Sequence, residues 1–321
     1  MAVTLAQAQL LTTDKLYKKV IDEFRKDALM DLMLFDDCVS LNGGSTLNYV
    51  YQRIKTLPQA GFRAINNEYD SQEVDTQDYT AKLKVFGGKF SIDRVIQNNV
   101  KGITDQLTLQ LNQKIQATKA LFSDTFINGD SATNANAFDG LDKAVTGSTT
   151  ELTPDSAIDL STTAALDSNY RAFLDLLRKV KARMDSDADV MLVNREMFAI
   201  FQSICDRVAS FQQTKNDLGA EVVKWGNTTI VKLGDKPGTS NPVISTDNNG
   251  LTSVYFARIA EDGVHAVTPQ GTNIINTYLP NFQDPGAVKS GEVEMVACMA
   301  LKATRAAGVL RNIKIAPVVS G

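Results

Sequence analysis

The sequence predicts an α+β protein, and three observations carry that prediction. Strips of apolar and polar residues alternate at the strand period near both ends of the chain. An unbroken amphipathic helix of about 23 residues follows the first of these strips, and a helix, apolar strand, helix succession occupies the middle. A length of 321 residues favours about two packed bodies. With 43% hydrophobic and 22% charged residues, the composition is that of a globular chain able to bury real cores.

Residues 1–12 show no periodicity and read as an extended arm, which gains stability only by lying on another surface. Over 14–33 the apolar positions Leu16, Tyr17, Val20, Ile21, Phe24, Ala28, Leu29, Leu32 and Met33 form the stripe of an amphipathic helix that Thr13 or Asp14 caps. Asn42-Gly43-Gly44 breaks the chain. Leu47, Tyr49 and Tyr51 then alternate with polar residues as a strand, and a second strip, Leu83, Val85, Phe90 and Ile92, reads as its return partner, with Gly87-Gly88 as a turn or bulge. Between the strips, about 56–80 is polar, and Glu68, Asp70, Glu73, Asp75 and Asp78 form a run with no base among them. The prediction is a long two-stranded arm with an acidic tip. An isolated hairpin is marginal in water, so this arm needs a partner surface.

The long helix is predicted over 105–127, with Leu107, Leu111, Ile115, Thr118, Phe122 and Phe126 on one face and Asn128-Gly129 as its stop. At 1.5 Å per residue it spans about 35 Å. A connection over 129–163 leads to a helix at about 168–184, then to Val190–Val193, a strand apolar at every position. Asn194 caps the next helix, which buries Met197, Phe198, Phe201 and Ile204. Short strands at 228–233, 253–257 and 265–267 follow. Val293, Met295, Ala297, Met299 and Leu301 alternate as a last long strand, and Ile313 and Ile315 close the chain.

Catalytic constellations are missing from this pattern. His265 is the single histidine, which removes serine and cysteine triads and histidine-rich metal sites, and it reads as a strand residue satisfied by its neighbours. No phosphate-binding glycine loop occurs. Asp185, Asp187, Asp189 and Glu196 have the spacing of a calcium loop, but Val190 stands where that loop requires glycine, so a solvated turn is expected. Asp22-Glu23 and Asp36-Asp37 are neighbours in sequence, which does not aim them at one centre. Cys38, Cys205 and Cys298 are odd in number and widely spaced, so reduced thiols are expected. A net charge of -4 and a pI near 5.2 lack the basic excess of tight nucleic-acid binders. There is neither a secretion signal nor a membrane-spanning run, so the chain is expected to start in the cytosol, without cofactor, metal or catalytic residues.

Taken in order, these parts resemble the Hong Kong-97 fold of tailed-bacteriophage major capsid proteins. VFGGKFSIDRVIQNN is similar to that family's strand leading into the spine helix, and FINGDSATNANAFDGL to the segment after it. SDADVMLVNREMFAIFQSI and KWGNTTIVKL resemble the buried strand, helix and following strand of the axial domain. ARIAEDGVHAVTP resembles that domain's late strands, and LKATRAAGVLRNIKI the last strand of the peripheral domain. The resemblance implies an N-terminal arm and helix at 1–43, an extended E-loop at 44–92, a peripheral P-domain with the spine helix at 93–138, an axial A-domain at 139–288, and a C-terminal return to the P-domain at 289–321.

It further implies a structural subunit that self-assembles into pentamers and hexamers of an icosahedral head around DNA. The chain would assemble in the host bacterial cytoplasm, reside in the virion, and have a scaffolding protein and a portal as partners. No scaffolding segment precedes Thr13, so scaffolding would be a separate protein or the chain a mature one. Lys55, Lys82 and Lys84 fall in the region from which some members cross-link, and no cross-link is predicted. The run Glu68, Asp70, Glu73, Asp75 and Asp78 is expected to meet basic residues of an adjacent subunit, each exposed pair contributing about 0 to 1 kcal/mol. Two rivals stand beside this reading: an encapsulin compartment shell, and a small-molecule hydrolase with an unrecognised site.

Overall fold

The computed structural model describes residues 29–39, 47–54, 59–69, 73–100, 106–208, 211–215 and 221–317. In chain order the first elements are α1 (Leu29–Leu32), β1 (Phe35–Val39), β2 (Asn48–Ile54), β3 (Thr76–Lys82), β4 (Lys84–Asp93), α2 (Arg94–Val100) and α3 (Gln106–Asn128). Next come α4 (Leu141–Val145), β5 (Glu151–Leu152), β6 (Ile158–Asp159), α5 (Thr163–Arg183), β7 (Val190–Val193) and α6 (Arg195–Cys205). The remainder is strand: β8 (Phe211–Lys215), β9 (Glu221–Trp225), β10 (Thr228–Lys232), β11 (Leu251–Ala257), β12 (Val264–Pro269), β13 (Asn276–Tyr278), β14 (Val288–Leu301) and β15 (Ala307–Lys314). The α+β class is as predicted. Of the helix expected over 14–33 only the end, α1, lies within the described residues; the arm before it does not.

These residues form three sheets. Five strands make the first, in the order β1, β12, β14, β13, with β4 on the other edge of β14. Eight make the second, in the order β5, β15, β11, β7, β10, β9, β8, with β6 also beside β15. The third is the ribbon of β2 and β3, antiparallel from Asn48 opposite Lys82 to Ile54 opposite Thr76.

This corrects the expected pairing of the arm. Of the strip Leu83, Val85, Phe90 and Ile92, only Leu83 returns beside the first strip, its N–H donating to Leu47 O at 2.8 Å; the other three belong to β4, paired antiparallel to β14 from Lys84 opposite Ala297 to Asp93 opposite Val288. The physical reason is burial. β4 turns Phe90 and Ile92 under α3, where Leu107, Leu111 and Ile115 cover them, and a two-stranded arm has no such cover to offer. Nor are Gly87 and Gly88 a turn or bulge: both lie inside β4, in unbroken register. A Cβ on Gly87 would stand 2.0 Å from the Val293 carbonyl oxygen, and one on Gly88 3.3 Å from the Lys114 side chain on α3. Glycine lets the strand and the helix close.

α3 is the predicted long helix. Its C-terminal half drives Phe122 and Phe126, both fully buried, into a core shared by the two larger sheets. Phe122 has Phe35, Phe86, Phe126 and Phe138 around it at centroid distances of 5.8 to 6.4 Å. The stop is as predicted: the Gly129 N–H donates to Thr125 O at 2.8 Å, and the Asn128 amide bonds Val243 O at 2.8 Å.

β7 shows why an uninterrupted apolar strand was needed. Successive side chains point to opposite faces, so Val190 and Leu192 enter the shared core, while Met191 and Val193 enter a second core under α5 and α6. Asn194 caps α6 as predicted, its Oδ1 accepting from Met197 N at 2.8 Å. α5 begins earlier than expected because Thr162 Oγ1 accepts from Ala165 N at 3.2 Å. Of the C-terminal segment, β14 lies in the five-stranded sheet with β4 and β12, but β15 crosses into the eight-stranded sheet beside β11.

Phe122→Ala removes the ring on which α3, β1 and β4 converge and is expected to cost about 3 to 5 kcal/mol of stability in denaturant unfolding. Gly87→Ala, a single methyl, is expected to cost about 1 to 3 kcal/mol by forcing β4 from β14. Unchanged unfolding midpoints for both would refute this account of the core.

Candidate assembly surface

The ribbon of β2 and β3 stands off the two larger sheets and is fastened at one end. Alternation gives it two faces. Tyr49, Tyr51 and Arg53, with Tyr79 and Ala81 from β3, face the body, while Val50 and Ile54 face solvent at 57% and 60% exposure.

The fastening is made by Tyr51 and Arg53. Tyr51 donates its hydroxyl hydrogen to Leu301 O at 3.0 Å. Arg53 donates through Nε to Lys302 O at 2.9 Å, through Nη1 to Thr304 Oγ1 at 3.2 Å, and through Nη2 to Leu301 O. Its guanidinium lies 4.1 Å from the centroid of Tyr79, whose ring stacks on Tyr51 at 6.0 Å. The acceptors belong to the end of β14 and to the turn that carries the chain into β15. An arginine serves here because its planar fork reaches several carbonyls while its face packs on an aromatic ring.

Deeper in the root, β1, β2 and β12 meet at His265. The imidazole is fully buried, Tyr49 lies edge-on to it at 5.8 Å, and its Nε2 is 4.0 Å from Asp36 Oδ2. Neither ring nitrogen makes a hydrogen bond of ordinary geometry, and the Ala260 backbone pulls only slightly toward the charged ring, so the expectation of a histidine satisfied by its neighbours holds for the backbone and is met poorly at the side chain. Strand pairing satisfies only the backbone; the side chain points into a site furnished by Tyr49 and Asp36. Burial, helped by the Lys302 charge, pushes the imidazole pKa down, against the pull of Asp36. Tyr49 donates its hydroxyl hydrogen to Asp36 Oδ2 at 3.4 Å. Cys38, on an exposed residue, sets its thiol against this group, and desolvation with the hydrogen bond to Asp36 pushes its pKa up to about 11. Cys205 and Cys298 are also free, and burial pushes Cys298 up to about 12.

The free end of the arm carries the predicted acidic residues without gathering them. Glu68, Glu73, Asp75 and Asp78 are all exposed, strung from the tip into β3, where Asp78 lies opposite Gln52; Asp70 lies outside the described residues. Sequence reading missed the apolar residues just before and among them. Phe62 and Ile65 have 109% and 90% of their surface in solvent, with Tyr69 at 66% under the Arg63 guanidinium, 5.4 Å away. Phe62 and Ile65, large apolar residues in a mostly polar run, were the available signal.

The calcium-like spacing is spent on separate contacts. Asp185 pairs with Arg258 at 3.1 Å, Asp187 with Lys181 at 3.1 Å, and Asp189 accepts from Ile259 N at 2.9 Å. Among the described residues no cluster of three or more metal-ligating side chains occurs, and no helix is long and apolar enough to cross a membrane. A cleft of about 480 Å³ under the arm root is lined by Arg53, Lys84 and Asp139, each already engaged: Arg53 in the fastening, Lys84 on Ala135 O at 2.6 Å, and Asp139 on Lys143 at 2.8 Å.

Two outcomes follow from this geometry. Arg53→Ala is expected to cost the arm root about 1.5 to 3 kcal/mol, read as faster hydrogen exchange of amides 47–54 with those of 190–205 unchanged. Cys38, raised from 9.0 to about 11, is expected to alkylate about a hundredfold more slowly in the native protein than in urea near pH 8, because the thiolate is the reactive form. Equal rates would show that its environment does not hold the thiol protonated.

No protein-family model and no curated protein matches the chain. Solved structures do. The shell of the holo-SrpI encapsulin complex from Synechococcus elongatus PCC 7942 is similar over 100% of this chain and 98% of its own, with a TM-score of 0.65 and 15% identity. The capsid of a native GTA particle gives a TM-score of 0.60 and 12% identity, covering 94% of each chain. The capsid of Myoviridae phage XM1 gives 0.60 and 10%, covering 97% of this chain and 99% of its own. With the arm, the long helix and the two larger sheets all in place, the chain has the Hong Kong-97 capsid fold.

Proposed function

We propose that this chain is a major capsid protein whose copies form pentamers and hexamers that close into an icosahedral head around double-stranded DNA. The observation that carries the reading is the arm. It presents Val50 and Ile54 along one face and Phe62 and Ile65 at its end to solvent, and among the described residues none covers them. Covering such residues on a second copy contributes about 25 cal/mol per Å² of apolar surface removed from water. Glu68, Glu73, Asp75 and Asp78 lie along the same arm, and in this reading they and Asp70 meet basic residues of the neighbour, which favours the correct approach more than it adds affinity. The contact is heterologous, arm of one copy to body of the next, and such contacts close into rings. In this reading the head assembles in the host cytoplasm with a scaffolding protein and a portal, and the chain resides in the virion.

The compartment-shell reading is supported by one observation, the full-length likeness to the SrpI encapsulin shell. The cargo separates the two. A capsid protects DNA from nuclease, whereas a compartment copurifies with a protein.

Purified protein is expected to run as megadalton particles in size-exclusion chromatography and to show closed shells in negative stain. Phe62→Asp combined with Ile65→Asp is expected to leave a folded subunit that forms no shells. Charge reversal at Glu73, Asp75 and Asp78 is expected to lower particle yield and salt tolerance without abolishing assembly. A wild-type chain that stays monomeric across protein concentrations would overturn the proposal.

A further inference from the structure

The group at the arm root has chemistry that the assembly reading does not use. His265 is the single histidine of the chain, it is fully buried, and neither of its nitrogens makes a hydrogen bond of ordinary geometry, the Ala260 backbone exerting only a minor pull toward the charged ring. Buried polar groups are normally paired, and an imidazole left without acceptors is tolerable only while it is neutral. Each element packed on it brings a group that a charged ring would feel. β1 brings Asp36 and, beside it, Cys38; β2 brings Tyr49; the turn after β14 brings Lys302; and the turn before β12 brings Glu261. Of these, Asp36 is placed to accept: its Oδ2 is 4.0 Å from Nε2, about 1 Å beyond a hydrogen bond. The same oxygen receives the Tyr49 hydroxyl at 3.4 Å, a long contact.

We infer that His265, Asp36 and Tyr49 form a proton-operated release for the arm. A proton from solvent adds to Nε2, the imidazolium draws Asp36 to itself, Tyr49 loses its acceptor, and the strand that carries Tyr49 loosens from the body. Tyr51 and Arg53 continue to hold the next residues, so the arm gains freedom at its root rather than detaching. The inference rests on contacts within one subunit and is independent of what the shell encloses.

The direction with pH follows from linkage. Burial and Lys302 hold the folded-state pKa of His265 below its unfolded value of about 6.5, so the unfolded or loosened state takes up the proton first. Stability from this group is therefore full above about pH 6.5 and is lost as pH falls toward the folded pKa.

Hydrogen exchange of the whole protein, followed by mass spectrometry near pH 7.5 and near pH 5 with times scaled for the intrinsic rate, reads the release. Amides in 47–54 and 76–83 are expected to lose about tenfold or more of their protection near pH 5, while those in 190–205 hold. His265→Gln is expected to abolish the loss. Asp36→Asn leaves the protonated ring without its acceptor and lowers its folded pKa further, so the loss near pH 5 is expected to be larger than in wild type, and this variant carries the test where the glutamine variant does not fold. The inference is overturned if wild-type protection of the arm is the same at both pH values, or if His265→Gln loses as much as wild type.

Discussion

Strand β14 pairs with β4 along one edge and with β12 and β13 along the other, and that double pairing is the constraint from which the rest of the structure follows. It places Phe90 and Ile92 beside Val293 on one face, which is the seat for the long helix. It places His265 opposite Ala300 and Val267 opposite Cys298, so the strand that meets the N-terminal segment is held in register. Its far end supplies the carbonyls that receive Tyr51 and Arg53. A strand of 14 residues can do all of this because its two ends have different neighbours. Its alternation reflects the difference, changing from one buried face near Val288 to two near Leu301.

The parts of the fold that were legible in sequence are those whose burial is complete. The long helix showed its apolar face and its Asn-Gly stop, β7 showed apolar residues on both faces, and Asn194 sat where a cap is needed. β3 was not legible because its sequence, TQDYTAK, carries only Tyr79 and Ala81 toward the body, and a strand half in solvent need not be apolar. The pairing of β4 was misjudged for a related reason: alternation reports which side of a strand is buried and is silent about which strand lies beside it. Nothing in the sequence around His265 marks its isolation, since that depends on Asp36 and Tyr49 arriving from distant parts of the chain. At the arm tip the carboxylates drew attention because charge is conspicuous, and the exposed Phe62 and Ile65 just before them were passed over.

Exposed charge and exposed apolar surface have different uses on such an arm. Ion pairs in solvent contribute little and are screened within about 8 to 10 Å at physiological salt, so acidic residues alone hold a neighbour weakly. Apolar side chains hold more strongly but choose partners poorly. In the proposed contact an arm that carries both would attach by one and discriminate by the other, and exposed charge beside the edges of β2 and β3 works against their pairing with other ribbons.

Arg53 is tied to the segment that carries the chain from the five-stranded sheet into the eight-stranded one. A mechanical meaning follows. A pull on the arm is transmitted through the guanidinium to the end of β14 and the start of the turn before β15, so the load divides between both sheets at their common joint instead of peeling one edge strand. A subunit built this way transmits tension as a tie-bar does, and its resistance to stretching is set by the strength of that joint rather than by the stiffness of the arm.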